Sequence, residues 1–587
     1  MTIAELRTLD MKVICLGSHP GIIQSILDYD FLVKKQQPSI MAIVTGGRKQ
    51  ERYFWGESEV IIPVVPKLSA LSEEVRGRTS AVLNVQSARR VLASTKEALE
   101  LLPNIKVAAV FAEQTPEVHS VQLAKDAKEW GVLLIGPSSV GLLLPGFAKL
   151  GAIGGTQHLQ LSEAGVLNHG DTAVVSTSGG IVNELIHTVT GAGLGVSFAL
   201  AVGGDRFPMT TPAEAMLLAE ADSETKRIVF FGELGGTDEY EIAKLIDDKK
   251  LTKEIIVYIA GTVAELFETP PQFGHAKALA QTYDESATAK KTALKKSGVV
   301  VCETFADIAK ELKARVKGDR SVTKAQIGER KKSLIVSHIS GDVNGDVHVL
   351  GKELLDTVEE NTIASMTLSM LLGKQVTSKK AIDFTDYVLK LLVDHGPYVS
   401  GAVNTIVSAR AGKDLVSSLA AGLLTIGPRF GGAINAAGGN WLEGASSGQT
   451  PREFVEKYGG IIPGIGHKKY RIDLPDPRVK ALMGFTGNTN GDKYLTFARG
   501  VEKVTSSKKG NLILNVDGAI AAVLLDILES EMGYDHTELK ELVEIEFFNA
   551  LFVLSRSVGF SAHYLDQRRH DEGLLRLSPN EIRYLGE

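Results

Sequence analysis

The chain has 587 residues, enough for about four domains, with 44% hydrophobic and 23% charged residues. That ordinary globular mix excludes wholesale disorder. With 64 Lys and Arg against 70 Asp and Glu, the net charge is −6, which argues against a nucleic-acid binder. Cys15 and Cys302 are the only cysteines, too few for a disulfide framework or a Cys-rich zinc site, and a reducing, cytoplasmic compartment is expected. The longest apolar run, Ala519 to Leu525, is ended by Asp526 and falls well short of the ~20 residues a membrane span needs. The N-terminus lacks the shape of a secretory signal.

The first half reads as alternating strand and helix. Apolar, β-branched runs lie at 12–16, 40–45, 60–65, 107–112 and 132–135, and again at 173–176, 196–202, 227–231, 255–259 and 299–302. Continuous hydrophobicity marks strands buried on both faces. Strands alternating with helices predict doubly wound parallel sheets with ligands at the strands' carboxyl ends. Two such units are expected, at 1–145 and 146–312. The polar, charged stretch 313–333 is expected to be a solvated linker. From 334 to 587 the pattern is mostly α, with helices expected at 359–372, 381–392, 517–528 and 539–553 and glycine clusters at 427–432 and 464–466.

Ser178-Gly179-Gly180 follows a strand and opens a helix, where free amides and the helix dipole favour an anion; any βα turn can also carry Ser and Gly. The run RIVFFGELGG delivers Glu233 at a strand's end, and Pro271-Gln272-Phe273-Gly274-His275-Ala276 follows. A lone loop histidine is commonly structural. A carboxylate, an anion-binding turn and a loop histidine are nevertheless the parts a phosphohistidine needs.

Gly136-Pro137-Ser138-Ser139, Leu144-Pro145-Gly146, STSGG, GELGG and FGHA, in that order, resemble the α subunit of succinyl-CoA synthetase. The resemblance implies a Rossmann-like CoA-binding domain followed by a flavodoxin-like ligase domain. It casts His275 as the phosphorylated histidine, Glu233 as its partner, and Ser178, Gly179 and Gly180 as part of the phosphate cradle. The first turn, Gly17-Ser18-His19-Pro20-Gly21, is poorer in glycine than the usual CoA loop, and Lys277 stands where a glycine is usual.

In the second half, Asp394-His395-Gly396, Gly464-Ile465-Gly466-His467 and Asn515-Val516-Asp517-Gly518 place polar residues where a helical protein would rather pack apolar ones. Each alone reads equally as a turn or a hydrogen-bonded core residue. No His, Cys and carboxylate set has metal-ligand spacing, so no metal is expected. Two histidines and an aspartate together suit carbon–carbon chemistry beside a thioester, and Arg478 and Arg556 suit bidentate carboxylate binding.

This constellation resembles citrate synthase. The resemblance implies that His467 takes the hydroxyl proton, His395 stabilises an enolate and Asp517 protonates it. Arg478 and Arg556 would bind carboxylates, and Arg576 would be lent by a neighbouring subunit, which implies self-association. Lys508 and Lys509 are expected CoA-phosphate contacts, with a solvated surface pair as the other reading. Joined, the halves resemble the ATP-citrate lyase family, and GPRFGGA, NLILNVDG, RSVGF and HYLDQRR carry the likeness. With no ATP-grasp region ahead of residue 1, the expectation is a two-subunit form whose ATP-grasp partner supplies ATP and Mg2+. Citrate and CoA are the expected substrates. A condensing citrate synthase with an accessory region fits less well, because condensation needs no phosphoryl relay. An acyl-CoA synthetase α subunit with a fused regulatory domain, and a decayed scaffold, are the other readings.

Overall fold

In the computed structural model, which describes residues 1–267, 272, 274–275, 277–316, 325–427, 431–486 and 492–586, all ten expected apolar runs contain strands. Two compact units result, Met1–Leu334 and Ile335–Glu587. The first holds two seven-stranded sheets. In one, Val13–Leu16 pairs in parallel with Ile40–Val44 on one side and Ala81–Asn84 on the other. In the other, Thr172–Ser176 lies between Val196–Ala201 and Arg227–Glu233, again parallel. Each central strand is a point where the winding reverses, and ligands bind at the carboxyl end of such strands.

Four further strands complete these sheets: Gln50–Trp55, Ala81–Asn84, Gly141–Leu144 and Ala148–Leu150. The third corrects the expected division at 145/146. Gly141–Leu144 pairs antiparallel with Val196–Ala201, so the chain has entered the second sheet by residue 141. Gly141 has φ +99°, and a Cβ there would lie 1.8 Å from the Leu150 carbonyl oxygen. Only glycine permits that approach between two strands.

The expected linker also differs. Its residues 317–324 lie outside the described residues. From Ala325 onward the chain is strapped to the first unit: Ile327 is buried, and Ser333 N donates to Glu59 at 2.9 Å. The Arg330 guanidinium pairs with Asp28 and lies over the Phe54 ring, while its Nε donates to the Gly56 carbonyl at 2.9 Å. A composition rich in charge hid a segment anchored by one arginine.

The second unit is helical apart from a small sheet of Ser340–Val343, Asp346–Val349 and Lys352–Glu353. Its axis is Val516–Met532, buried continuously from Gly518 to Leu528, as expected of a helix apolar on all sides. Fully buried Trp441 donates its indole N–H to the Gly518 carbonyl at 3.0 Å. Two expected helices are each broken in two. The pattern 359–372 stops at Asn361 because the Thr362 side chain caps Ile363–Leu372, accepting from Ser365 N at 3.2 Å. The pattern 539–553 breaks at Glu546, whose φ is +61°, between His536–Glu544 and Phe547–His570.

Removing the Arg330 anchor is expected to release the strap without melting the sheets. Hydrogen bonds to charged groups contribute about 1.5–3 kcal/mol each, so Arg330→Ala should raise tryptic cleavage at Lys331 and Lys332 at least tenfold while the melting temperature stays within about 2 °C. Unchanged cleavage would show that the segment is held by other contacts.

Candidate active sites

The first site forms at the carboxyl end of the second sheet. Ser176 pairs with Phe231 in register, and Thr177 N donates to the Phe231 carbonyl at 3.1 Å. This sets the turn Ser178-Gly179-Gly180 beside Glu233, two residues further along the neighbouring strand. Ser178 caps the helix Gly179–Gly191, whose amide end favours an anion. His275 Nδ1 lies 2.9 and 3.0 Å from the two Glu233 carboxylate oxygens. The hydrogen bond to that carboxylate raises the His275 pKa despite partial burial. Pro271, Phe273 and Ala276 of the quoted loop lie outside the described residues.

Below Glu233, buried Lys290 donates to the carbonyls of Glu233 and Gly235 and pairs with Glu239 at 2.6 Å. Lys277, expected to be a departure, is buried and paired with Asp238. Its carbonyl oxygen would lie 1.9 Å from a Cβ on Gly235, and its Cε 2.8 Å from one on Gly236. The GELGG glycines thus make room for this lysine.

Composition and motif reading missed a cleft at the reversal point of the first sheet. It measures about 530 Å³ and is lined by Gly17, Thr45, Gly46, Lys67, Gln86 and Arg90, among others. Two cations and the N-terminus of the 14-residue helix Ala88–Leu101 suit a phosphate-bearing ligand. The one available signal was Gly17, at the end of the first strand with φ +88°. His19, in place of a further glycine, caps Pro20–Leu32 through Nδ1.

The second site gathers on three segments of the second unit. Gly464–Ile472 runs beside Gly510–Asn515, with Gly466 N donating to Ile513 O at 2.7 Å and His467 N to Asn511 O at 3.0 Å. His467 Nδ1 accepts from the backbone N–H of Lys469 and Tyr470, both at 3.0 Å. These two bonds fix the orientation of the ring and turn Nε2 toward Arg478. Burial lowers the His467 pKa, opposed by Asp476, and keeps the ring neutral.

Arg478 Nη2 lies 3.4 Å from His467 Nε2, and buried Asp476 holds that guanidinium through Nη2 at 2.7 Å and Nε at 3.0 Å. Arg556 is 5% exposed, and its Nε and Nη1 are buried without a partner. A buried guanidinium with orphan donors is a place for a carboxylate. Asp394, which fixes the His395 loop, accepts from Gly396 N and meets His563 Nε2 at 3.0 Å. His395 itself is exposed, and its pKa is lowered by burial and by Arg556 and Arg478. Asp517 feels the same two cations, but burial outweighs them and pushes its pKa up to about 6. Its charge in turn acts on Arg556 and Arg478, so the expected five residues share one electrostatic neighbourhood.

Three expected residues lie elsewhere in the chain's fold. Lys508 and Lys509 are exposed at the end of Lys493–Lys508. Arg576 is exposed beyond His570 and, among the described residues, has no hydrogen bond or ion pair to the other site residues. Residues 428–430 of the glycine cluster lie outside the described residues.

Known proteins resemble the chain along its whole length. A CoA-ligase family model matches residues 175–300, and the model of the citrate synthase C-terminal domain matches residues 275–578. ATP-citrate synthase subunit 1 of Sordaria macrospora is 37% identical over 97% of this chain and 88% of its own length. The chain belongs to the ATP-citrate synthase (ATP-citrate lyase) family. The Homo sapiens ATP-citrate synthase is 36% identical over 98% of this chain but 54% of its own length. A solved structure of ATP citrate lyase from Methanothrix soehngenii, in complex with citrate and coenzyme A, is 34% identical, covers 99% of this chain and 98% of its own, and has a TM-score of 0.53.

Within this ATP-citrate lyase fold, Asp517 is not the cap of its helix. Asn515 is, accepting from Gly518 N at 3.0 Å. A carboxyl with a raised pKa binds a proton in the native state that the unfolded chain has already released, so stability is lost as pH rises through about 6. Asp517→Asn removes that loss, so its unfolding free energy should match the parent's at pH 4 and exceed it at pH 8, by on the order of 1–3 kcal/mol. A variant that melts earlier at pH 8 would return Asp517 to a structural role.

Proposed function

We propose that this chain performs, with an ATP-grasp partner, the conversion of citrate, ATP and CoA to oxaloacetate, acetyl-CoA, ADP and phosphate. The observation that carries the reading is the pairing of His275 Nδ1 with Glu233 at the mouth of an anion-binding turn, in the same chain as a citrate synthase-like acid–base set. With Nδ1 tied to the carboxylate, Nε2 is the nitrogen left to attack phosphorus. The phosphoryl group passes from ATP to His275 and then to a citrate carboxylate, and the CoA thiolate displaces phosphate to give citryl-CoA. The cleft at Gly17, Lys67 and Arg90 fits the phosphates of CoA. Mg2+ belongs with ATP on the partner; among the described residues no group of three or more His, Cys, Asp or Glu is arranged to hold a metal.

In the second unit, Arg478 and Arg556 hold the carboxylates of the citryl group, with Arg556's two orphan nitrogens filled by the ligand. His467 takes the proton of the alcohol as that oxygen becomes a carbonyl. His395, kept neutral, donates to the enolate oxygen of the departing acetyl-CoA. Asp517 delivers its proton to the enolate carbon. Arg576, Lys508 and Lys509 are assigned to self-association and to the CoA phosphates on the likeness to citrate synthase alone. Among the described residues no helix is long and apolar enough to cross a membrane, and we place the reaction in the cytoplasm.

The two chemistries are separable by mutation. His275→Ala should abolish ATP-dependent acetyl-CoA formation in the reconstituted enzyme and eliminate acid-labile protein phosphate, yet leave cleavage of supplied citryl-CoA within about twofold. Equal loss of both activities would refute the assignment.

Cleavage also has a predicted pH dependence. It needs the protonated form of Asp517, whose pKa is about 6, so kcat/KM for citryl-CoA should fall about tenfold per pH unit on the alkaline side of that value. A profile flat from pH 6 to 8 would exclude Asp517 as the acid.

A further inference from the structure

A second carboxylate stands near the His275 ring. Gly204 lies directly against the imidazole: a Cβ built there would fall 2.5 Å from its Cδ2 and Cγ. The next residue, Asp205, is 8% exposed, and its Oδ2 is buried without a hydrogen-bond partner. Burial raises the Asp205 pKa, and the backbone amides of Thr115 and Gln114 partly offset that rise. They come from the loop that follows Val107–Val110 in the first sheet. Asp205 therefore sits at the seam between the ligand ends of the two sheets of this unit. That loop also brings Glu113, and Phe111 at its start packs edge-on against His19 at 5.7 Å, beside the Gly17 cleft.

A purely structural carboxylate would not be left this way. Burying an ionised oxygen unpaired costs more than a hydrogen bond returns, and Asn at 205 would still offer an acceptor to the two loop amides. The charge has an object, because Asp205 and Glu113 both act with Glu233 on His275. Among the described residues, other charged groups of this region are paired: Lys277 with Asp238, Lys290 with Glu239, and Arg206 with Glu117 at 4.0 Å.

We infer that Asp205 is a positioning residue for His275, a second negative charge beside Gly204 that stabilises the positive imidazole ring. The inference rests on the reading of His275 as the phosphoryl carrier. When Nε2 attacks the terminal phosphorus of ATP, an N–P bond forms, the O–P bond breaks and ADP leaves with the electron pair. Nδ1 keeps its proton, shared with Glu233, and the ring becomes cationic. Glu233 fixes which nitrogen reacts, and Asp205 offsets the charge the reaction creates. Because the Gln114–Thr115 loop adjoins the Gly17 cleft, the same carboxylate ties His275's environment to that cleft.

Two measurements on the full-length chain test this. The imidazole of His275 is titrated by NMR in protein labelled with 13C at histidine Cε1, its signal being assigned by its loss in His275→Gln. Asp205→Asn should lower the His275 pKa by about 0.5–1 unit, and Asp205→Glu should restore it. An unchanged pKa in a folded Asp205→Asn variant overturns the inference; should that variant melt early, Asp205→Ser, which keeps an acceptor for the loop amides, makes the same test. Phosphoramidate, a small phosphoryl donor that needs no partner subunit, is then used to phosphorylate the chain. Asp205→Asn should slow phosphorylation of His275 about three- to tenfold, with the charge-retaining Glu variant near the parent rate. If the parent chain takes up no phosphate at His275 from phosphoramidate, or from ATP with the partner, the carrier reading fails, while the titration still decides whether Asp205 sets the charge of the ring.

Discussion

The bond between Glu233 and His275 Nδ1 is the constraint around which the first unit is arranged. A histidine ring offers two nitrogens, and a phosphoryl carrier must commit one of them. The carboxylate makes that choice, but it must itself be held at the end of a buried strand. The fold supplies the hold from beneath: Lys290 satisfies the carbonyls of Glu233 and Gly235 and neutralises Glu239. It supplies the anion site from the side, because the strand Thr172–Ser176 ends in register with Phe231 and turns at once into a helix. Parallel pairing brings carboxylate and amide cradle together without either being near the other in sequence.

In the second unit the governing constraint is burial. Val516–Met532 is buried on all sides from Gly518 to Leu528, and Asp517 sits in the first turn just ahead of that stretch. Desolvation there raises the carboxyl to about 6 even against two arginines. The arginines do not cancel the effect because each is committed elsewhere. Arg478 is pinned by Asp476, and Arg556 lies over Phe552 with two nitrogens unpaired. A carboxyl able to hold a proton near neutrality, next to cations awaiting carboxylates, follows from where the helix starts.

Much of this was legible in the sequence. Strands buried on both faces announce themselves as continuous apolar runs, and every one expected in the first half is present. Glu233, Ser178, His275 and the five central residues of the second site stand out in the sequence because their neighbours are glycines and strand ends, which leave a pattern in the chain. What was missed depends on contacts remote in sequence. Gly141–Leu144 is too short and too close to Leu144-Pro145-Gly146 to declare which sheet it joins. The breaks at Thr362 and Glu546 fall inside unbroken apolar periodicity, where one side-chain cap or one left-handed residue outweighs the pattern. Arg330 is indistinguishable from its charged neighbours until Asp28 and Phe54 are brought beside it. The orientation of the His467 ring is set by two backbone amides that no spacing rule identifies.

The three histidines show how one residue type is set to opposite tasks. Around His275, carboxylates dominate, and the hydrogen bond to Glu233 raises its pKa. Around His395 and His467, burial and arginines dominate, and their pKa values fall. A ring that must become a cation when it forms a bond to phosphorus needs negative charge in place beforehand. A ring that must donate a hydrogen bond to a developing enolate oxygen, or take the proton of an alcohol, without drawing the carboxylates of a substrate away from Arg478 and Arg556, must start neutral. Exchanging the two environments would disable both steps: an imidazolium between the arginines would add a third cation to a crowded site, and a neutral His275 without Glu233 would have no preferred nitrogen. On the proposed roles, the two units give the two kinds of histidine local fields of opposite sign.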